Sequence, residues 1–173
     1  MQHESFAQRS SKLIGLVLVL LAMNLGGCGF QPRGQAVTLA AVPSPVFIAG
    51  LASYSDLYRE LSRLLKIADI EITSSADESA SVLRISGVDS EARVLSVNSR
   101  NKAVEYELEE SASFALRARD GRQLVETQRV SVLRVQYRPE VGVLGSDREG
   151  ELMRREMRRD VAGRIVRRLA VQP

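Results

Sequence analysis

A chain of 173 residues that is 45% apolar and 26% charged has the composition of one globular domain, which excludes collagen-like and disordered classes. Its 24 Lys and Arg against 21 Asp and Glu leave a formal net charge of +3, too near neutrality for a nucleic-acid binder. A single Cys and a single His exclude a disulfide framework and leave little for histidine chemistry.

In chain order, Arg9 and Lys12 precede an unbroken apolar run from Leu13 to Met23, and Asn24, Leu25, Gly26, Gly27 and Cys28 follow. A basic flank, a greasy stretch and a small-residue exit form an export signal, to be set aside before the fold is considered. As a helix the run is about 16 Å long, whereas a permanent span needs roughly 30 Å. Leu25-Gly26-Gly27-Cys28 resembles a bacterial lipobox. That resemblance implies cleavage before Cys28, a diacylglycerol on its thiol and an acyl chain on its freed amine. Gly29, where an inner-membrane retention signal would carry Asp, points to the outer membrane. A lone cysteine in an exported chain serves better as an anchor than as half of a disulfide, and three acyl chains attach a protein stably at about 0.8 kcal/mol per buried CH₂. The expected division is a signal peptide over 1–27, a lipidated N-terminus, tether and first strand over 28–50, and the rest of one domain over 51–173.

Removal of the signal takes His3 with it, so the mature chain has no histidine. This excludes Ser-His and Cys-His nucleophiles and histidine-based zinc sites. Glu105, Glu107 and Glu109 alternate as a solvated strand face does, and Gly142-Val143-Leu144-Gly145 lacks the Lys and Ser/Thr of a phosphate loop. No catalytic residue, metal site or cofactor is expected. An enzyme is the weaker hypothesis.

Past the anchor, Pro43 and Pro45 among Val37, Leu39, Val42, Val46 and Ile48 predict an extended tether feeding one short strand. A helix over Ser55–Ile67 follows, capped by Ser53 or Ser55, with Leu57, Leu61, Leu64, Leu65 and Ala68 on one stripe. Ile70 to Ile72 is a short strand candidate. Thr73 to Ser81 is a polar loop, and Val82 to Val97 is a strand with a kink near Gly87 to Ser90. Asn98 to Lys102 is a turn. Val104, Tyr106, Leu108, Ala112, Phe114, Leu116 and Ala118 then line one face of a long strand.

Asp120-Gly121 predicts a two-residue type I′ hairpin, with Arg119 opposite Arg122. That register sets Leu116 against Val125, Phe114 against Thr127, Leu108 against Leu133, Tyr106 against Val135 and Val104 against Tyr137, and sets Glu107 against Arg134 on the reverse face. At about 50 Å the hairpin outruns one helix. Its far patch of Phe114, Leu116 and Val125 is therefore either a partner surface or the seat of the second helix. That helix is expected from a capping box at Ser146 to Glu149, and ends near Leu169, with Met153, Met157, Val161, Ile165 and Leu169 as its apolar row. Arg154, Arg155, Arg158, Arg159, Arg164, Arg167 and Arg168 decorate it, either as solvated or partner-facing charge or as a lipid-phosphate site. Glu151–Arg155 and Asp160–Arg164 are spaced for ion pairs. Together these elements predict an α+β two-layer sandwich, with an antiparallel four-stranded sheet and two helices on one face.

Gly27-Cys28-Gly29-Phe30-Gln31-Pro32-Arg33-Gly34, Val104-Glu105-Tyr106 after the turn, the long hairpin and the C-terminal helix resemble the LPS-assembly lipoprotein LptE family over nearly the whole mature chain. The resemblance implies a non-enzymatic outer-membrane lipoprotein that plugs the LptD β-barrel from within and binds lipopolysaccharide during its assembly at the cell surface. It also implies lipopolysaccharide contacts from basic residues, carried here by Arg100 with Lys102 nearby. Ser146 stands where the family has a second basic residue, and Arg148 is the nearest substitute. The competing hypothesis is an accessory lipoprotein, a pilotin or scaffold, for another outer-membrane complex.

Overall fold

The computed structural model describes residues 39, 42–77, 80–138 and 143–171. The export signal, Cys28, the Arg33-Gly34 motif and Pro139 lie outside the described residues. The described elements are β1 (Val46–Ala49), α1 (Asp56–Ile67), β2 (Ile72–Thr73), β3 (Ser81–Val97), β4 (Ala103–Arg117), β5 (Gln123–Tyr137) and α2 (Val143–Ala170).

They form an α+β two-layer sandwich, but the sheet has five strands in the order β2-β1-β3-β4-β5 rather than four, and it is mixed rather than antiparallel. β1 runs parallel to both neighbours, with Val46 opposite Ile72 on one side and Ser81 on the other. For the first neighbour the physical reason is α1: a helix after a strand returns the chain to the end where that strand began, so β2 enters parallel. β3, β4 and β5 make the expected antiparallel meander.

α1 forms as its pattern dictates. The Ser55 hydroxyl accepts from the Tyr58 N–H at 3.2 Å, and Leu57, Leu61 and Leu65, four residues apart, are buried. α2 buries Met157, Val161, Ala162, Ile165, Val166 and Leu169. Both helices pack on one face of the sheet, over Leu83, Ile85, Leu108, Phe114, Leu116, Val125, Val130 and Val132. α2 starts at Val143, so Ser146 already lies in helical backbone, whereas a cap requires a non-helical conformation.

The hairpin departs from its predicted register through two irregularities on β5, at Leu124 and at Glu126 and Thr127, and its turn departs from the predicted type. The Ala118 N–H donates to the Arg122 carbonyl and the Gly121 N–H to the Ala118 carbonyl, each at 2.9 Å, which closes a three-residue loop. Gly121 takes a φ of 83° and Asp120 stays outside the left-handed region, whereas a type I′ turn needs positive φ at both. Arg119 therefore does not pair with Arg122. Leu116 still faces Val125, but Phe114 faces Gln128, so Glu126 and Thr127 together oppose Ala115 in a bulge. Beyond it every expected pair is displaced by one: Leu108 faces Arg134, Glu107 faces Val135, Tyr106 faces Gln136 and Glu105 faces Tyr137.

A one-residue slip exchanges the two faces of a strand. Val130 and Val132 therefore enter the core, while Leu133, Val135 and Tyr137 are 55%, 57% and 62% exposed. The projecting end is also the opposite of the one expected. Phe114, Leu116 and Val125 are buried in the core with α2, while β3 from Gly87 to Val97 is mostly exposed, leading to the Asn98–Lys102 turn. The expected kink lies where predicted, as a register break between Ser86 and Asp89.

Candidate functional site

At the projecting end, one side chain organises the turn. The Asn98 carboxamide oxygen accepts from the Arg100 N–H at 2.9 Å and from the Lys102 N–H at 3.0 Å. The Asn98 N–H in turn donates to the Lys102 carbonyl at 2.8 Å. Asn101 adopts a φ of 59°, a left-handed conformation that asparagine tolerates better than most residues. The result is a tight loop that presents Arg100 and Lys102 together at its rim, both exposed. Val94, Leu95 and Val97 lead into it with about half their surface in water. A cationic rim above exposed apolar side chains has the chemistry to meet an amphiphile, with anionic groups on the guanidinium and ammonium and acyl chains on the strand.

Arg148 lies on a different element, the first turns of α2, where it lines a shallow hollow with Glu151, Leu152 and Arg155. Gly150 beside it allows α2 to approach β5 closely, since a Cβ there would sit 2.9 Å from both Arg138 Nη2 and Gln136 Nε2. The Arg138 N–H donates to the Val104 carbonyl at 2.8 Å, and its guanidinium stacks 5.2 Å from the Tyr106 ring centre. The start of α2 thus lies at the end of the sheet that carries the Asn98–Lys102 turn. The structure brings Arg100 and Lys102 together and sets Arg148 at the same end of the molecule.

The helix arginines divide into two groups. Arg154 and Arg158 reach into the layer interface toward Glu110, which is only 2% exposed, at 3.3 and 3.5 Å. The Ser90 hydroxyl donates to the same carboxylate at 2.6 Å, and Arg158 also reaches Asp56 at 3.3 Å. One ionic network therefore joins β3, β4, α1 and α2. Arg164 donates to the Ser131 carbonyl at 2.6 Å and Arg168 to the Arg129 carbonyl at 3.1 Å. The predicted intrahelical pairs are replaced: Asp160 meets Arg134 at 2.8 Å, and Glu151 lies 3.9 Å from Arg158 rather than pairing with Arg155. Glu107 meets Arg93 at 2.5 Å, not Arg134. These contacts escape sequence reasoning because they join residues far apart in the chain; the one visible signal is Glu110 itself, a charge on an otherwise apolar face.

Among the described residues no group of three or more His, Cys, Asp or Glu is placed to hold a metal ion. Likewise, no helix among them is long and apolar enough to cross a membrane.

Comparison with known proteins places this geometry. The profile of the LptE family, described as lipopolysaccharide-assembly, matches residues 37–169. The LPS-assembly lipoprotein LptE of Pectobacterium atrosepticum is 27% identical over 161 residues, covering 91% of this chain and 85% of that one. A crystal structure of the rare lipoprotein B of Shewanella oneidensis superposes with a TM-score of 0.64 at 24% identity, covering 73% of this chain and 94% of that one. A solution structure of a lipoprotein B from Nitrosomonas europaea does so with a TM-score of 0.64 at 23% identity, covering 82% and 90%. Those two share the fold.

Proposed function

The chain belongs to the LptE family of non-enzymatic lipopolysaccharide-assembly lipoproteins, and from that premise we propose that it sits at the outer membrane, anchored through Cys28, as the partner and plug of the LptD β-barrel. In this reading it binds lipopolysaccharide without converting it and assists its delivery to the cell surface. The observation that carries the reading is the extent of the family match, which begins ahead of β1 and runs nearly to the end of α2, taking in every strand and the projecting turn. Arg100 and Lys102 are the proposed lipopolysaccharide contacts. Their guanidinium and ammonium groups pair with lipid A phosphates, the guanidinium through two N–H groups at once. Arg148, at the same end, is the proposed second contact in place of the family's basic residue at Ser146.

The test is depletion in the native host, with surface lipopolysaccharide and the folded, disulfide-matured state of the LptD barrel measured together. Loss of both, restored by wild type and not by a Cys28→Ala form exported through a soluble signal, supports the anchored assembly role. Rescue by the soluble form keeps that role and makes the anchor dispensable. Normal lipopolysaccharide and a normal barrel after depletion overturn the reading in favour of an accessory lipoprotein for another outer-membrane complex.

A further inference from the structure

Two arginines of α2 that do not tie the helix to the sheet, Arg155 and Arg159, meet a second row on α1. Arg155 and Arg159 are four residues apart on α2; Arg59 and Arg63 are four residues apart on α1. Together with Asp56 and Glu60 they line one cleft of about 240 Å³ between the two helices. Like charges at this spacing repel, and each such pair costs its helix a few tenths of a kcal/mol. The two rows are nevertheless neutralised very differently.

On α1 each arginine is held by a carboxylate one turn earlier. Arg59 Nη2 lies 2.5 Å from Asp56, and Arg63 grips Glu60 through Nη2 at 2.5 Å and Nε at 3.1 Å. The hydrogen bond from Arg63, with the field of Arg159 as a smaller contribution, holds the Glu60 carboxyl below its ordinary range, so the α1 row is a set of neutral pairs near pH 7. On α2, Arg155 and Arg159 line the cleft without an ion pair or hydrogen bond among the described residues, and Arg159 acts on Glu60 only through its field. The cleft therefore carries two uncompensated positive charges on one wall. The other wall offers guanidinium N–H groups already oriented by their carboxylates.

We propose that this cleft is a binding site for a dianionic phosphate group, as a monoester or as free phosphate. Two uncompensated guanidiniums match the charge of about −1.5 to −2 that a phosphomonoester carries near neutral pH. Forked N–H donors converging from two helices suit a tetrahedral anion with three free oxygens better than a planar carboxylate. The same α2 surface continues past Arg155 into the hollow with Arg148 and the half-exposed Leu152. A phosphate attached to an apolar chain would thus find both parts of itself accommodated side by side. The ligand chemistry is a dianionic phosphate group, supplied as the monoester of a lipid headgroup or as free inorganic phosphate. The site stands on its own residues and does not depend on Arg100 or Lys102.

The full mature lipoprotein in detergent, titrated with inorganic phosphate by calorimetry and with phosphatidylcholine vesicles containing phosphorylated lipid A by co-sedimentation, tests this. Arg155→Gln/Arg159→Gln should weaken binding by about tenfold or more, whereas Arg122→Gln/Arg167→Gln, which removes the same charge elsewhere, should leave it within about twofold. Preference for vesicles with phosphorylated over dephosphorylated lipid A assigns the site to a lipid headgroup. Equal binding of inorganic phosphate, with no vesicle preference, assigns it to free phosphate and still supports it. Arg100→Ala/Lys102→Ala should leave phosphate binding at the cleft intact, which separates this site from the turn. Absence of phosphate binding in both assays, or equal loss in the Arg122/Arg167 control, overturns the proposal.

Discussion

Single positions in this fold carry very unequal weight. Gly50 follows β1 with a φ of 88°, and a Cβ there would lie 2.0 Å from the Ile85 carbonyl oxygen. Gly50→Ala therefore faces a left-handed conformation and a backbone collision together, and should cost about 2 kcal/mol or more in urea unfolding. Glu110→Ala leaves Arg154 and Arg158, neighbours on α2, pointing into the layer interface without their shared carboxylate, and should cost about 3 kcal/mol, read as a lower thermal midpoint. Asp56 and Glu60 govern the acid limb. Asp56 is lowered first by the hydrogen bond from Arg59 and further by the charge of Arg158, against the opposing effect of burial, and Glu60 first by Arg63. Their charged forms are favoured in the folded state, so the stability they contribute is present above the unfolded carboxylate range of about 4 and is lost as pH falls through the lower folded values. Arg59→Gln/Arg63→Gln should therefore flatten the fall in thermal midpoint below about pH 4.5.

At the scale of elements, alternation and spacing predict the three long strands and both helices, because apolar faces repeat at two or at three-to-four residues wherever one side is buried; β2, expected over Ile70 to Ile72, is instead the two residues Ile72–Thr73, too few to alternate. The hairpin register was not legible in the same way. Leu133 and Val135 fall on the inward face of an unbroken ladder from a two-residue Asp-Gly turn; the three-residue loop shifts the pairing one way, the irregularity at Leu124 shifts it back, and the bulge at Glu126 and Thr127 carries it one further, which reverses the outcome. Stability measurements discriminate the two registers: Val132→Ala should cost about 2 kcal/mol, whereas Leu133→Ala should stay within about 0.5 kcal/mol. The parallel placement of β1 was equally hidden, since four residues from Val46 to Ala49 carry no signal about strand direction. Of the candidate site, the Asn98–Lys102 turn was legible from its local polar sequence. The arginine cleft was not, because its two walls, Arg59 with Arg63 and Arg155 with Arg159, come from helices on either side of the whole meander.

At the scale of the molecule, one face of the sheet bears both helices and the other bears Glu107, Arg93, Leu133 and Val135 in water. The order in which these layers are made matters as much as their arrangement. α2 is the last described element of the chain, yet it supplies much of the cover for Phe114, Val130 and Val132 and half of the ionic network around Glu110. A growing chain that has completed β5 has α1 over part of the sheet but leaves Phe114, Val130 and Val132 without the cover that α2 supplies. α2 must therefore be made before this face is closed, and until then the strands it covers present apolar surface to water. A chain cut just after Tyr137 would be not a shortened protein but a sticky one.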